Sequence, residues 1–128
     1  MKTIIAMDLS RPQLDLLEAV FDDWAESVSY CERNPDEREP EQRKDDAHDM
    51  ACVNAMSEQF PDDPGIAVFS GEQALECLDD VIQWLLRFWW HTKDEWDRDD
   101  LAEHYQSTPE TAAALVAAYD QHNGGTSQ

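Results

Sequence analysis

Apolar side chains recur every three or four residues in four segments of this chain, a spacing that places them along one face of an α-helix. The first segment begins at Ser10 and has Pro12 in its first turn, where a missing backbone N–H costs nothing. Its predicted buried face consists of Leu14, Leu17, Phe21, Trp24, Val28 and Cys31. The opposite face carries four carboxylates, Asp15, Glu18, Asp22 and Glu26. We therefore expect a strongly amphipathic helix with an acidic solvent side.

The third segment is the most apolar of the four. Ser70, with Gln73 three residues later, resembles a capping box, and the helix should extend to about His91. Its apolar positions cover more than half of the circumference: Leu75, Leu78, Val81, Ile82, Leu85, Phe88 and Trp89. A helix of this kind usually lies at the centre of a fold. The acidic residues of its narrow polar strip are Glu76, Asp79 and Asp80.

The second and fourth segments have weaker apolar faces. The polar stretch Asn34–Asp46 precedes the second helix, which should end near Gln59. Thr108, as N-cap before a proline, predicts the start of the last helix over Pro109–His122. A short helix over Leu101–Gln106 precedes it. The chain therefore contains four or five predicted helices.

Two short segments, Thr3–Met7 and Ile66–Phe69, are apolar or β-branched and can pair as one two-stranded β element covered by helices. The sequence thus predicts a mainly α fold, a single compact domain over residues 1–125, followed by a flexible tail over 126–128. The apolar runs are too short for a signal peptide or a membrane span. We expect a cytoplasmic protein with no membrane partner.

The charge of the chain changes this picture. The formal net charge is −20 over 128 residues, with 29 acidic and 9 basic side chains, whereas small soluble domains usually carry a net charge of about 2–8 in magnitude. Because 41% of the residues are hydrophobic, this charge should lie on a folded surface. Carboxylates at i and i+4 on a helix are about 6 Å apart along the axis, comparable with the spacing of phosphates along a DNA strand.

These features predict a non-enzymatic inhibitor that binds a basic, nucleic-acid-contacting surface of a partner protein. The acidic strips of the first and third helices would supply the charge. Five further carboxylates extend it: Asp94, Glu95, Asp97, Asp99 and Asp100. Trp90 and Trp96 are candidate aromatic anchors, because exposed tryptophans often dominate protein interfaces. In size and composition the chain is similar to the small acidic inhibitors that phages and plasmids direct against restriction or CRISPR machinery.

An alternative hypothesis assigns the acidity to solubility only. The chain would then be an accessory or regulatory interaction protein of a mobile element or a halophile. The presence of only three lysines, Lys2, Lys44 and Lys93, fits this alternative. A homodimer is compatible with either hypothesis.

Metal and catalytic chemistry have weaker support. Asp45, His48 and Asp49 place carboxylates and an imidazole one turn apart, but a carboxylate-bridged metal site needs a second such set. The nearest set would comprise Asp100, Glu103 and His104, with Asp22 or Glu26. Because the stretch around Asp45 is polar and should be exposed, we predict no catalytic site, no resident metal and no cofactor. Loose binding of divalent cations stays open.

The cysteines and the last two helices add two further expectations. Cys31, Cys52 and Cys77 lack a CxxC spacing and are expected to be inert, buried thiols in a reduced compartment.

The segment 101–112 has the outline of a helix-turn-helix. Its second helix begins without an arginine or lysine, and phosphate contacts supply most non-specific DNA affinity. We therefore expect no direct binding of nucleic acid.

Overall fold

The fold is a set of α-helices packed against one face of a two-stranded sheet. The structure, a computed structural model, describes residues 4–37, 39–91 and 105–124. The elements in chain order are β1 (Ile4–Leu9), α1 (Arg11–Arg33), a 3-10 turn (Pro35–Glu37), α2 (Pro40–Ser57), β2 (Gly65–Ser70), α3 (Glu72–His91) and α4 (Pro109–Gly124). The predicted mainly helical fold class with one short β element is confirmed. The short helix expected over 101–106 lies mostly outside the described residues.

Two helices begin where the sequence predicts. At the start of α1 the Ser10 hydroxyl accepts from the backbone N–H of Gln13 at 3.4 Å, and the Gln13 side chain accepts from the Ser10 N–H at 2.9 Å. This reciprocal pair satisfies two N–H groups that the first turn leaves without helical partners. At α4 the Thr108 hydroxyl accepts from the N–H of Thr111 at 3.2 Å.

The boundary predicted for α2 is wrong. The helix starts at Pro40, inside the stretch expected to be a polar loop, and the Glu39 N–H donates to the Gln42 side chain at 2.9 Å. Proline at the first helical position supplies the required φ and loses no hydrogen bond. Asp46, which the sequence placed in the polar stretch, lies on the inner face of the helix with only 6% exposure, and Ala47 is exposed.

The capping box predicted at Ser70 does not form. Ser70 is the last residue of β2, where its N–H donates to Gln59 Oε1 at 2.6 Å and its carbonyl accepts from Gln59 Nε2 at 2.9 Å. The chain turns at Gly71, whose φ of +92° disfavours any residue with a side chain. The Gly71 carbonyl then accepts the first helical hydrogen bond of α3, from the Leu75 N–H.

The two strands pair antiparallel, from Ile4 opposite Ser70 to Leu9 opposite Gly65. Because side chains alternate along a strand, one face of the sheet meets the helices. That buried face consists of Ile5, Met7, Leu9, Ala67 and Phe69. The expected two-stranded element is therefore present. β1 ends two residues later than the predicted Met7, and β2 is one residue longer at each end than the predicted Ile66–Phe69.

The first and the third helices both lie in the core of the described residues. The first helix packs against α2, α3, α4 and β1, while α3 packs mainly on α2, α1 and β2. Leu16 and Val20 are buried in addition to most of the predicted face, while Trp24 and Cys31 are only half-buried. The apolar face of α1 is therefore wider than its three- and four-residue spacing suggested, because helices and sheet cover it from several sides.

The two-way contact between Gln59 and Ser70 gives a test of the fold. Gln59→Ala removes both hydrogen bonds at the end of β2 and should lower the free energy of unfolding by about 1 kcal/mol. Chemical denaturation followed by tryptophan fluorescence measures it. Gln73→Ala, at an exposed position of α3, is the control and should change stability little. Equal effects of the two substitutions would contradict the assigned contact.

Candidate functional site

The acidic row of α1 lies on the surface as predicted. Asp15, Glu18, Asp22 and Glu26 are all exposed, and they span about 16 Å of the helix axis. Arg11 lies 3.5 Å from Asp15, and Arg33 lies 3.2 Å from Glu26. No ion pair of Glu18 or Asp22 is found among the described residues. The two central carboxylates therefore face solvent, and the ends of the row are partly neutralised.

The acidic residues of α3 have different surroundings. Glu76 is exposed, whereas Asp79 and Asp80 are half-buried. The Tyr119 hydroxyl of α4 donates to Asp79 Oδ1 at 2.7 Å, which joins α3 to α4. Asp80 lies close to Asp49 of α2. The structure thus places two of the three predicted strip residues in contacts between helices, not on an open surface.

Asp23 is a carboxylate with a role that the periodicity did not indicate. Its Oδ2 atom accepts from Trp84 Nε1 of α3 and from the Tyr105 hydroxyl, each at 2.9 Å. Burial and the contact with Asp23 raise the pKa of Tyr105, so the phenol stays a donor. Asp23 therefore links α1 to two distant parts of the chain. Its neighbour Asp22 points to solvent.

A mixed cluster of side chains lies between α2 and α3. His48 Nε2 lies 2.5 Å from Glu76 Oε2, and the Cys52 thiol donates to the same oxygen at 3.2 Å. Cys52 Sγ lies 3.7 Å from His48 Nε2. Carboxylate oxygens of Asp49, Glu76 and Asp80 also lie within 4.8 Å of one another. We call these five residues the α2–α3 cluster.

The cluster shifts the titration of its members. Burial, followed by the charges of Asp49 and Glu76, raises the pKa of Asp80 to about 6. Burial also raises the pKa of Asp49, although His48 opposes the shift. Burial and the hydrogen bond to Glu76 raise the pKa of Cys52 to about 12. The thiol is therefore protonated at neutral pH, in keeping with the expected low reactivity.

The residue set considered from the sequence lies only partly within the described residues. Asp45 is exposed, Asp49 is half-buried, and His48 meets Glu76 of α3 and Cys52 of its own helix. Asp22 and Glu26 lie on the solvent face of α1, and Asp100, Glu103 and His104 lie outside the described residues. A usable signal was present in the sequence: His48 and Cys52, and likewise Glu76 and Asp80, are four residues apart and share helix faces.

The remaining predicted site residues have side chains outside the described residues. Trp90 belongs to the backbone of α3, but its side chain is outside the described part, as are all atoms of Trp96. The acidic residues of the same stretch also lie outside it: Asp94, Glu95, Asp97, Asp99 and Asp100.

No family model, curated protein or solved structure matches this chain. Within the described residues, no helix combines the length and apolar character needed to cross a bilayer.

The raised pKa of Asp80 predicts a pH dependence of stability. The folded protein holds this proton more tightly than the unfolded chain, whose aspartates titrate near about 3.9. The stability that the proton contributes is therefore complete below pH 4 and is lost as the pH rises through about 6. Asp80→Asn should raise the free energy of unfolding at pH 7 by about 1 kcal/mol, allowing for solvent screening of a half-exposed group.

Asp22→Asn removes the same charge from an exposed position and serves as the control. Its effect at pH 7 should stay within about 0.5 kcal/mol. Denaturation curves at pH 7 and pH 4 measure both variants, and the advantage of Asp80→Asn should vanish at pH 4. An advantage that persists unchanged at pH 4 would refute the titration assigned to Asp80.

Proposed function

We propose that this protein is an acidic, non-enzymatic inhibitor that occupies a basic, nucleic-acid-contacting surface of a partner protein. It would act as a DNA mimic of the anti-CRISPR or anti-restriction type. The observation that carries this proposal is the exposed carboxylate row of α1, because its opposite face is anchored in the core. A rigid row presents its charges at set distances, as a nucleic-acid backbone does.

The centre of the row is the part best suited to a basic partner. Glu18 and Asp22 lie one helical turn apart, and neither forms an ion pair within the described residues. An incoming arginine or lysine would therefore gain a partner without breaking an existing ion pair. At the ends, Arg11 and Arg33 already pair with Asp15 and Glu26, so contacts there would contribute less.

The charge of the whole chain supports the same function. A net charge of −20 produces a negative field that attracts a basic surface and speeds encounter, most strongly at low salt. It also repels the phosphates of nucleic acid, which disfavours direct binding to DNA or RNA. A basic protein surface is thus the complementary partner.

The alternative function, an accessory protein of a mobile element or halophile with acidity for solubility, makes a different prediction. In that case the position of a carboxylate on the surface is unimportant, and only the total charge counts. Molar salt would then raise stability by screening repulsion, and no basic partner would be retained.

A pair of matched double variants separates the two functions. Glu18→Gln with Asp22→Asn removes two charges from the α1 row, while Glu41→Gln with Asp45→Asn removes two from exposed positions with the same spacing on α2. The immobilised full chain is used to capture proteins from a host lysate, followed by elution with double-stranded DNA. A nucleic-acid-binding enzyme is expected among the proteins that DNA elutes. The double variant on α1 should bind this enzyme about tenfold more weakly than the wild-type chain at low salt, and the double variant on α2 should bind it nearly as tightly as the wild-type chain.

Binding of the wild-type chain should also weaken steeply with ionic strength, because the contacts lie at the surface. Affinity that stays flat from low to high salt would exclude electrostatic mimicry. Equal losses in both double variants would show that total charge alone matters, and a partner that DNA fails to displace would place the contact away from its nucleic-acid surface.

A further inference from the structure

The α2–α3 cluster contains a set of donor atoms that differs in kind from the rest of the acidic surface. His48 offers an imidazole nitrogen, Cys52 a sulfur and Glu76 a carboxylate oxygen, all within 4.8 Å of one another. His48 and Cys52 share one face of α2, and Glu76 meets them from α3. Nitrogen, sulfur and carboxylate oxygen are the donor types that Zn²⁺ takes in proteins.

The distances between these atoms fit one small ion. Around a tetrahedral Zn²⁺ with ordinary bond lengths, sulfur and nitrogen donors lie about 3.6 Å apart, sulfur and oxygen about 3.5 Å, and nitrogen and oxygen about 3.3 Å. The corresponding separations are 3.7 Å for Cys52 to His48 and 3.2 Å for Cys52 to Glu76. The contact of Cys52 with Glu76 must open by about 0.3 Å, and the 2.5 Å contact of His48 with Glu76 by about 0.8 Å on the same geometry.

The exposure of the three donors differs, and this allows His48 and Glu76 to move apart and an ion to enter from solvent. The Cys52 side chain is inside the protein, with only 1% of its surface exposed. The side chains of His48 and Glu76 retain 54% and 45% exposure. The sulfur therefore lies on the protein side of the site. The side chains of His48 and Glu76 lie on the solvent side, where they can rotate apart.

The charges around the set favour a cation. Asp49 and Asp80 place two more carboxylates next to Glu76, and no arginine or lysine forms an ion pair with these three within the described residues. Their like charges repel one another, because their carboxylate oxygens lie within 4.8 Å. A divalent cation would relieve this repulsion and stabilise the ionised carboxylates.

From these observations we infer that His48 Nε2, Cys52 Sγ and Glu76 Oε2 form a binding site for a single borderline divalent metal ion of the Zn²⁺ class. A water or a neighbouring carboxylate completes the coordination. On binding, the Cys52 S–H bond breaks, its electron pair forms the sulfur–metal bond and the proton goes to solvent. The ion joins α2 to α3, and this role is independent of the acidic row on α1.

Titration of the full chain with Co²⁺ and Zn²⁺ tests the site. Co²⁺ should give the visible bands of a four-coordinate ion and a sulfur-to-metal charge-transfer band, and one equivalent of Zn²⁺ should abolish both. His48→Gln and Cys52→Ser should each weaken binding by at least about tenfold, and Cys52→Ser should remove the charge-transfer band. Cys31→Ser, at a half-buried cysteine of α1 that is not a member of the cluster, should leave both intact.

The carboxylate ligand has a matched control on the same helix. Glu76→Gln should weaken Zn²⁺ binding, whereas Glu72→Gln, one turn earlier and exposed, should not. Because His48 is exposed, its variant is expected to fold even where a substitution at buried Cys52 destabilises the protein, and circular dichroism verifies the fold of each. Several weak equivalents of Zn²⁺ displaced by excess Mg²⁺, or full-strength binding by the His48→Gln variant, would overturn the site.

Proton release provides a second readout. A cysteine binds a metal ion as the thiolate, so the Cys52 S–H proton has to leave when the ion binds. Apparent Zn²⁺ affinity should therefore rise about tenfold between pH 7 and pH 8, as one proton is lost for each ion bound. Cys52→Ser should abolish this rise. Affinity that is independent of pH in the wild-type chain would contradict thiolate coordination.

Discussion

The packing of the apolar face of α1 is the contact on which the other described elements depend. A chain with a net charge of −20 has to form its core against the repulsion of its own carboxylates. This helix meets α2, α3, α4 and β1, and residues such as Leu17 and Val20 on it are fully buried. The same packing turns the opposite face outward, where Glu18 and Asp22 have no ion-pair partner among the described residues.

The acidic side chains fall into two groups that differ in exposure and in hydrogen bonding. Most are solvated at the surface, but Asp23 and Asp79 are half-buried and accept hydrogen bonds from Trp84, Tyr105 and Tyr119. A carboxylate is a strong acceptor, and such bonds to neutral donors stabilise its charge where basic residues are scarce. In this fold, tyrosine and tryptophan donors therefore stabilise half-buried carboxylates, a role that lysine and arginine have in less acidic proteins. Among the described residues, neither aromatic donors nor lysine and arginine contact the carboxylates of the α2–α3 cluster, the place for which we propose a metal ion.

Prediction from the sequence succeeded where the signal was local and strong. The starts of α1 and α4 follow from Ser10 and Thr108, because a cap acts on the backbone within three residues of itself. It failed at α2, whose interior face is occupied by Asp46 and Cys52 as well as apolar residues, so the three- and four-residue pattern is blurred. It also failed at Ser70, whose capping role gave way to strand pairing and to the contact with Gln59.

By itself the sequence determined that four helices exist, that two short segments are extended, and that α1 has an acidic solvent face, because each depends on spacing within a few residues. The antiparallel pairing of β1 with β2 joins residues about 60 positions apart and belongs to the tertiary structure. Tertiary structure alone decided which carboxylates are exposed and which are shared between helices. His48 reaches Glu76 across 28 positions of the chain, and Asp23 reaches Tyr105 across 82. Such long-range contacts depend on how the helices pack. Helical periodicity predicts which face of its own helix a residue lies on, but it does not predict which helix packs against that face.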